Sequence, residues 1–353
     1  MQSQQTQRHL GLDLVRIVAI LAVVMIHASA SFLVAYPAGS FEFSVGNLGD
    51  GISRLGVPLF VMLSGALMLD EQRNLTLKRI FTKNVKSIVI LTVLWAAIYA
   101  CVEKVITPWM GGQPIQWDTV LPTIVEGHYH MWYLYMLVGL YLATPFLREI
   151  VKKKNKNLVL AFIGLCLLFQ FTNPVITVIS HFLGSEWKIL STILGKFSFG
   201  LFGSYTGYYL TGWYLAHIGP ESTRQRRLLY ALGITGLASV LLYTHFTGEY
   251  KVLYNNLGLP VYFYSASVFY ALSHFSPTVS PRTSSWIAAL SKASFGIYIL
   301  HPLFLGPMKI HFSHTQYPAV WCISLYFLGS ILLSWLTSIL LARIPLLKAL
   351  VRM

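Results

Sequence analysis

Long apolar segments separated by short polar connections form the dominant pattern of this sequence. A helix needs about 20 apolar residues to cross a hydrocarbon core of roughly 30 Å, so each segment of that length predicts one membrane-spanning helix. The qualifying segments lie at 12–35, 47–69, 86–106, 131–149, 158–181, 197–217, 228–246, 257–275, 288–310 and 318–342. They predict an all-α, polytopic integral membrane protein with about ten transmembrane helices, folded as a single transmembrane domain over residues 1–353 without an appended soluble domain.

The amino-acid composition supports the same class. Of the 353 residues, 55% are hydrophobic and only 11% are charged, whereas soluble globular proteins carry about 25% charged residues. So few charges cannot cover a water-facing surface of this size, which excludes a soluble enzyme, a disordered linker and a secreted disulfide-rich domain. The 3 cysteines lie in apolar segments and form no paired metal-binding motif.

The basic residues alternate between loops. There are 26 Lys and Arg against 12 Asp and Glu, which gives a formal charge of +14. Most of the basic residues precede the first predicted helix, follow an even-numbered one or close the chain: Arg8; Arg73, Lys78, Arg79, Lys83 and Lys86; Arg148, Lys152, Lys153, Lys154 and Lys156; Arg224, Arg226 and Arg227; Arg282; Arg343, Lys348 and Arg352. Because cytoplasmic loops are enriched in Lys and Arg, this alternation predicts that both termini are cytoplasmic. Topology accounts for the excess charge, so we expect no binding of nucleic acid.

The first predicted helix carries two polar side chains suited to chemistry. Arg16 lies about one turn from the start of this helix and His27 lies past its middle. At 100° per residue, their spacing of 11 residues brings both to within about 20° of one face, roughly 16 Å apart along the axis. Arginine keeps its charge, so Arg16 requires an anion or a carboxylate such as Asp13. A neutral histidine inside a protein is suited to act as a base near pH 7.

Four motifs, spread from the first predicted helix to the ninth, resemble those of a known family. They are the arginine and histidine of the first helix, RLGVPLFVMLSG from Arg54 to Gly65, HMWYL from His130, and SKASFGIYILH from Ser291 to His301. In this order they resemble the membrane acyltransferase-3 family, whose members transfer acyl groups from cytoplasmic acyl-CoA to extracytoplasmic glycans or lipids. The stretches VVMIH, SRLGVPLF, YHMWYL and GIYILH are similar to the branch of surface-polysaccharide O-acetyltransferases that contains the enterobacterial common antigen O-acetyltransferase.

The resemblance implies an acyl-CoA-dependent O-acyltransferase with acetyl-CoA as the donor and a surface polysaccharide or a lipid-linked glycan as the acceptor. It also implies a multi-pass protein of the bacterial cytoplasmic membrane, embedded in the lipid bilayer. A sugar hydroxyl attacks a thioester only when a base takes its proton, and His27 is placed for that role, as the resemblance also suggests. The sequence leaves open both direct transfer and an acyl-histidine intermediate.

Candidate contacts with the donor lie toward the predicted cytoplasmic side. Arg16 is expected to face the phosphate or pantetheine end of CoA, unless it pairs with Asp13 and only stabilises the helix. The loop candidates for binding the CoA phosphates are Lys78, Arg79 and the lysines between 152 and 156. Where the family often has paired arginines separated by three residues, this chain has Lys78, Arg79 and Lys83.

Candidate contacts with the acceptor lie toward the opposite surface. Arg54 enters the second predicted helix from that surface, where it could order the acceptor, pair with a carboxylate such as Glu126 or snorkel to the interface. His130 and Trp132 lie at the start of the fourth predicted helix. There a tryptophan could stack on a sugar, or it could belong to an interfacial aromatic belt.

The ninth predicted helix contributes a second catalytic candidate. Ser294, Tyr298 and His301 have i, i+4, i+7 spacing and therefore share one face, which predicts that they line one cavity or pack together. His301 could stabilise the developing oxyanion or orient His27.

Two other kinds of site are less favoured by the sequence. His128-x-His130 and His311-x-x-His314 lack carboxylates or thiolates in a recognised ligand spacing, so we expect no metal. A transporter or flippase for a glycan or glycolipid is the alternative function, because about ten helices with a polar interior also suit alternating access. No inverted repeat is visible and the polar groups are concentrated on a few helices, which favours the enzyme.

Overall fold

Helices account for almost all of the structure. The computed structural model describes residues 2–152, 155–196 and 204–352, and these ranges contain no β-strand. The α-helices are α1 (Gln2–Ala35), α2 (Phe41–Ser53), α3 (Gly56–Met68), α4 (Leu77–Arg79), α5 (Lys86–Cys101), α6 (Thr107–Met110), α7 (Val120–Glu126), α8 (Trp132–Val151), α9 (Lys156–Cys166), α10 (Asn173–Leu183), α11 (Lys188–Lys196), α12 (Thr206–His217), α13 (Thr223–Thr247), α14 (Tyr250–Leu253), α15 (Leu259–Ser273), α16 (Pro281–His311), α17 (Ala319–Arg343) and α18 (Lys348–Val351). Short π-helical turns occur at Ile80–Val85, Val102–Ile106 and Leu167–Phe171, and 3-10 turns at Trp117–Thr119 and Ser185–Trp187. The predicted all-α fold is confirmed.

Within the described ranges, 8 helical segments are long and apolar enough to cross a membrane. They are Leu10–Ala35, Phe41–Met68, Leu77–Met110, Trp132–Val151, Lys156–Leu183, Thr223–Thr247, Pro281–His311 and Ala319–Arg343. The predicted spans at 197–217 and 257–275 coincide with shorter helices, α12 of 12 residues and α15 of 15 residues. Residues 197–203 of the first of these spans lie outside the described residues. The chain is therefore a multi-pass membrane protein with at least two shorter helices in its bundle.

Helix α12 lies inside the bundle and crosses α3 at very short distance. Tyr209 and Trp213 are among its fully buried side chains. A Cβ atom at Gly65 of α3 would lie 1.8 Å from the carbonyl oxygen of Tyr209, and one at Gly212 of α12 would lie 1.9 Å from that of Met62. Only glycine fits at both positions, and small residues of this kind allow close helix packing in membranes.

Helix α1 is the central helix of the candidate site. It packs against α2, α3, α15, α16 and α17, and Val15, Ala19 and Val24 on it are completely buried. Because neighbouring helices surround α1, the partly exposed side chains of Arg16 and His27 face the interior of the bundle instead of lipid.

Candidate active site

A cavity of about 410 Å³ lies at the predicted cytoplasmic end of the bundle, between α1, α3, α5, α8 and α16. Its basic lining residues are Arg16, Arg73, Lys83, Lys292 and Arg352. Its polar and aromatic lining residues include Ser64, Asn84, Ser87, Tyr133, Tyr141, Ser291, Ser294 and Tyr298. Among the described residues, no carboxylate lines this basic cavity, which therefore has a positive potential suited to a multiply charged anion.

Arg16 reaches the basic cavity from α1. Its Nη1 donates a hydrogen bond to Ser291 Oγ at 3.5 Å, and Ser291 Oγ donates to Asp13 Oδ1 at 2.5 Å. Ser291 thus lies between Arg16 and Asp13, and the described part of the chain shows no direct ion pair between these two. Guanidinium has five N–H donors, so most of those on Arg16 remain available to an anion in the cavity.

The described basic loop residues expected to bind the CoA phosphates are not the ones that line the basic cavity. Lys78 and Arg79 are exposed on α4 and do not line the basic cavity, whereas Lys83, in the following π-helical turn, does. Lys152 and Lys156 do not line it either, since Lys152 pairs with Glu149 at 2.5 Å and Lys156 pairs with Glu221 at 2.5 Å. Lys153 and Lys154 fall outside the described residues. A π-helical turn shifts the register of a helix, and such turns are frequent at functional sites.

Helix α16 links the basic cavity to a buried polar layer above it. Ser294 and Tyr298 line the cavity, as their shared face predicts, and His301 lies one turn further along and is completely buried. The Tyr298 hydroxyl donates to the backbone oxygen of His130 at 2.6 Å, and His301 Nδ1 donates to the backbone oxygen of Tyr298 at 2.7 Å. Tyr298 therefore forms the boundary between the cavity and this layer.

The layer is a histidine cluster, which consists of His27, His128, His130 and His301. The ring of His27 stacks on that of His301, with centroids 5.3 Å apart and an interplanar angle of 23°. The rings of His130 and His301 are T-shaped at 5.5 Å. Tyr129 covers His27 edge-on at 5.1 Å. Residues 27, 130 and 301, which the sequence indicated separately, are thus brought together from α1, from the connection before α8 and from α16.

Two members of this network were not assigned a role from the sequence. His128 Nδ1 lies 2.7 Å from His130 Nδ1, and His128 Nε2 lies 3.2 Å from a carboxylate oxygen of Glu103. His128 also stacks on Tyr99 with ring centroids 4.2 Å apart. Burial lowers the pKa of His128 to about 4, so its imidazole is neutral at pH 7. The sequence signal that could have indicated this contact was the acidic residue Glu103 inside the predicted span 86–106.

Among the described residues there is no group of at least three His, Cys, Asp or Glu side chains that could hold a metal ion. The close His128–His130 contact is a hydrogen bond between imidazoles.

Arg54 occupies a different position from the one expected. The second span begins at Phe41, so Arg54 lies near its middle, at the junction of α2 and α3, instead of at the outer surface. Its Nη2 lies 2.6 and 2.7 Å from the two carboxylate oxygens of Asp50, which is fully buried. The guanidinium also lies 4.5 Å above the ring of Tyr254. Pairing with Glu126 and snorkelling to the interface are therefore both wrong, because Asp50 one turn earlier supplies the partner.

Lys309 lies against the catalytic candidate on α1. Its Nζ donates to the backbone oxygen of His27 at 2.7 Å, and it lies 5.9 Å from the ring centre of Tyr326. It lies near the end of the span formed by α16. It adds a positive charge beside His27 on the side away from the basic cavity.

Two further candidates lie at the periphery. Glu126 ends α7 and is exposed. Trp132 begins α8 with 42% of its surface exposed, and its ring lies 5.7 Å from that of Tyr205. Neither side chain has a described ring contact or ion pair with the histidine cluster, so each is available only to a ligand approaching from the loop end.

The arrangement combines an anion-binding cavity with neutral imidazoles at its inner end, which suits transfer of a group from a phosphorylated carrier. The model of the acyltransferase-3 family, described as an acyltransferase domain, matches residues 9–339. No curated protein and no solved structure matches the chain significantly. The match extends over nearly the whole chain and includes the histidine cluster and the lining of the basic cavity except Arg352. The chain therefore belongs to the acyltransferase-3 family of membrane acyltransferases.

Proposed function

We propose that this protein transfers an acetyl group from cytoplasmic acetyl-CoA to a hydroxyl group of an extracytoplasmic surface glycan or its lipid-linked precursor, with His27 as the general base. The observation that carries the proposal is the basic cavity, which ends at Tyr298 directly below the histidine cluster. The branch of surface-polysaccharide O-acetyltransferases and the bacterial cytoplasmic membrane are part of this proposal, and the alternation of basic loops supports it.

The basic cavity suits the donor. Coenzyme A carries several phosphate groups on a nucleotide, joined to a long neutral arm that ends in the thioester. Five cationic side chains and no described carboxylate line the cavity, so its lining residues Arg73, Lys83 and Arg352 would bind the phosphates. The narrow arm would then follow Arg16 and the serines of α16 toward Tyr298. In this position Lys83 takes the role that the sequence suggested for Lys78 and Arg79.

The histidine cluster suits the chemical step. His27 is partly exposed and its ring makes no hydrogen bond to any described residue, so a ring nitrogen is available to the acceptor. His27 takes the hydroxyl proton as the oxygen attacks the thioester carbonyl, the new C–O bond forms, and the C–S bond breaks. The same proton then passes from His27 to the departing thiolate, so atoms and charges balance. The Lys309 ammonium beside His27 opposes a lasting charge on the imidazole and favours this return of the proton.

The test measures transfer of labelled acetyl from acetyl-CoA to the endogenous glycan in membranes that carry the full chain. We expect His27→Ala to abolish transfer, and Arg16→Ala to raise the acetyl-CoA concentration needed for half-maximal rate by about tenfold. His181→Ala, on α10 away from the cluster, is the matched control and should retain full rate. Undiminished transfer by His27→Ala at matched expression would refute the proposed base. A glycan gradient formed by the native protein without acetylation would favour the transporter alternative.

A further inference from the structure

Glu103, His128 and His130 form a continuous series of polar contacts that leads into the histidine cluster. Glu103 lies in the π-helical turn Val102–Ile106, and one of its carboxylate oxygens is 3.2 Å from His128 Nε2. The Nδ1 atoms of His128 and His130 are 2.7 Å apart and form a hydrogen bond. This series of contacts begins at the Glu103 carboxylate, which is 40% exposed, and ends at the His130 imidazole, which is almost completely buried.

The series of contacts from Glu103 through His128 to His130 determines which ring nitrogen of each histidine carries the proton. The negative charge of the Glu103 carboxylate, 3.2 Å away, favours the proton of neutral His128 on Nε2, which leaves Nδ1 as the acceptor toward His130. His130 must then donate from Nδ1, which leaves its Nε2 without a proton. Because the two nitrogens lie on opposite sides of the imidazole ring, His130 Nε2 points away from His128. That atom is buried and has no hydrogen-bond partner among the described residues.

A different hydrogen bond holds His301 in the same tautomer. Its Nδ1 donates to the backbone oxygen of Tyr298, so neutral His301 also has an unprotonated Nε2. This atom too is buried without a partner in the described part of the chain. Two buried imidazole lone pairs therefore lie within the cluster, one on His301, whose ring stacks on His27, and the other on His130, whose ring contacts that of His301. Leaving two such acceptors unpaired costs free energy, which points to a functional reason.

We propose that Glu103 and His128 are positioning residues, which hold His130 in the tautomer whose unprotonated Nε2 stabilises the imidazolium formed on His27 during transfer. The inference rests on the proposed role of His27. A lone pair presents negative potential to a nearby cation, whereas an N–H group presents positive potential. In serine proteases a carboxylate stabilises the imidazolium in this way, and here neutral imidazoles of fixed tautomer supply the effect.

The other charged and titratable groups near His27 do not supply this stabilisation. They are His301 and Lys309 on α16, Arg54 with its partner Asp50 at the junction of α2 and α3, and His128 and Tyr129 in the connection before α8. Lys309 and Arg54 are cations, and Asp50 is engaged with Arg54. The imidazole lone pairs are thus the groups placed to offset the positive charge on His27.

The experiment compares Glu103→Gln, Glu103→Leu and His128→Phe with the native chain in the membrane assay of labelled acetyl transfer to endogenous glycan. Glutamine keeps an oxygen that accepts from His128 Nε2, whereas leucine does not. Phenylalanine keeps the stacking on Tyr99 but cannot accept from His130. Asp118→Leu, which removes another carboxylate from the 3-10 turn Trp117–Thr119, is the matched control. Rates are measured against acetyl-CoA concentration and from pH 5.5 to 8.5.

We expect Glu103→Gln to stay within about twofold of the native maximal rate, and Glu103→Leu and His128→Phe to lose about tenfold. The acetyl-CoA concentration for half-maximal rate should not change, since the basic cavity lies on the other side of Tyr298. The acidic limb of the pH–rate profile should move to lower pH in the two slow variants, because an N–H group in place of the lone pair presents positive potential to the cluster and disfavours protonation of His27. A merely structural role would lower the rate without moving this limb.

Equal rates and equal pH profiles in all three variants, with His27→Ala inactive, would overturn the positioning role and leave the proposed base intact. Full activity of His27→Ala would instead refute the proposed role of His27 as the base, on which the positioning role depends. If Glu103→Leu does not fold, His128→Phe provides the same comparison, because it retains the ring that packs against Tyr99.

Discussion

The buried pair of Asp50 and Arg54 provides the sharpest test of how this bundle is stabilised. Both carboxylate oxygens lie within 2.7 Å of Arg54 Nη2, and Asp50 has no exposed surface. For charge centres about 4 Å apart, an effective dielectric constant of about 20 gives an attraction of roughly 4 kcal/mol. Removing one partner leaves the other charge uncompensated inside the span, which costs about 3–5 kcal/mol. We therefore expect Asp50→Asn to lower the free energy of unfolding by about that amount.

The double variant is the decisive measurement. Replacing both charges by neutral groups of similar shape removes the attraction and the cost of burying two charges, so Asp50→Asn combined with Arg54→Gln should recover at least half of the single-variant loss. Unfolding in mixed detergent micelles of increasing SDS content measures these free energies. Losses below about 1 kcal/mol in the single variants, or a double variant equal to their sum, would refute the reasoning.

The exposed pair of Lys152 and Glu149 is the control for this cycle. Its atoms are as close, at 2.5 Å, but both side chains are more than half exposed. Water screens such a pair, so Glu149→Gln should leave the unfolding transition unchanged.

Three further outcomes follow from the structure. Lys83→Ala should raise the acetyl-CoA concentration for half-maximal transfer about tenfold because Lys83 lines the basic cavity, whereas Lys78→Ala should not; equal effects would contradict this placement of the donor. Gly212→Leu should prevent folding, since even a Cβ atom would lie 1.9 Å from the Met62 carbonyl oxygen, and a monodisperse native-like profile in gel filtration would contradict it. The pKa of His128 falls from 6.5 to about 4 on burial, so the unfolded chain binds the proton more readily and thermal stability should decline as pH falls from 6.5 toward 4; His128→Gln should flatten this decline.

The fold class could be predicted from the sequence because membrane spans have a strong and local signal. Twenty apolar residues in a row have few alternatives to a helix in lipid. The same rule gave a longer span at 257–275 than the 15-residue helix α15, and the described part of 197–217 contains α12. Composition cannot distinguish a lipid-facing span from a short helix buried by its neighbours. Gly212, which allows α12 to contact α3 closely, was a sign of such burial.

The candidate site could be predicted only where one helix carries the pattern. The spacing of Arg16 and His27 on α1 needs no tertiary information, and these residues do face the interior. Arg54 was misplaced because its span starts six residues earlier than the apolar segment did, at Phe41 instead of residue 47. Its partner Asp50 was nevertheless visible as an acidic residue at i−4, the spacing at which helical side chains meet. The contact between Glu103 and His128 joins separate elements, so only the folded chain reveals it.

The proposed reaction explains why Arg16 and His27, on the same helix α1, have such different surroundings. A phosphorylated donor requires cations and water access, whereas a base that must lose its proton again requires a drier and less charged environment. Along α1, 11 residues separate these environments by roughly 16 Å, with Arg16 in the basic cavity and His27 in the histidine cluster. Tyr298 stands between them with its hydroxyl and its carbonyl oxygen already engaged by His130 and His301. Only the uncharged acetyl end of the donor has to reach this boundary, so the acetyl group can be presented from one side of the membrane to an acceptor on the other while the charged nucleotide stays where it binds.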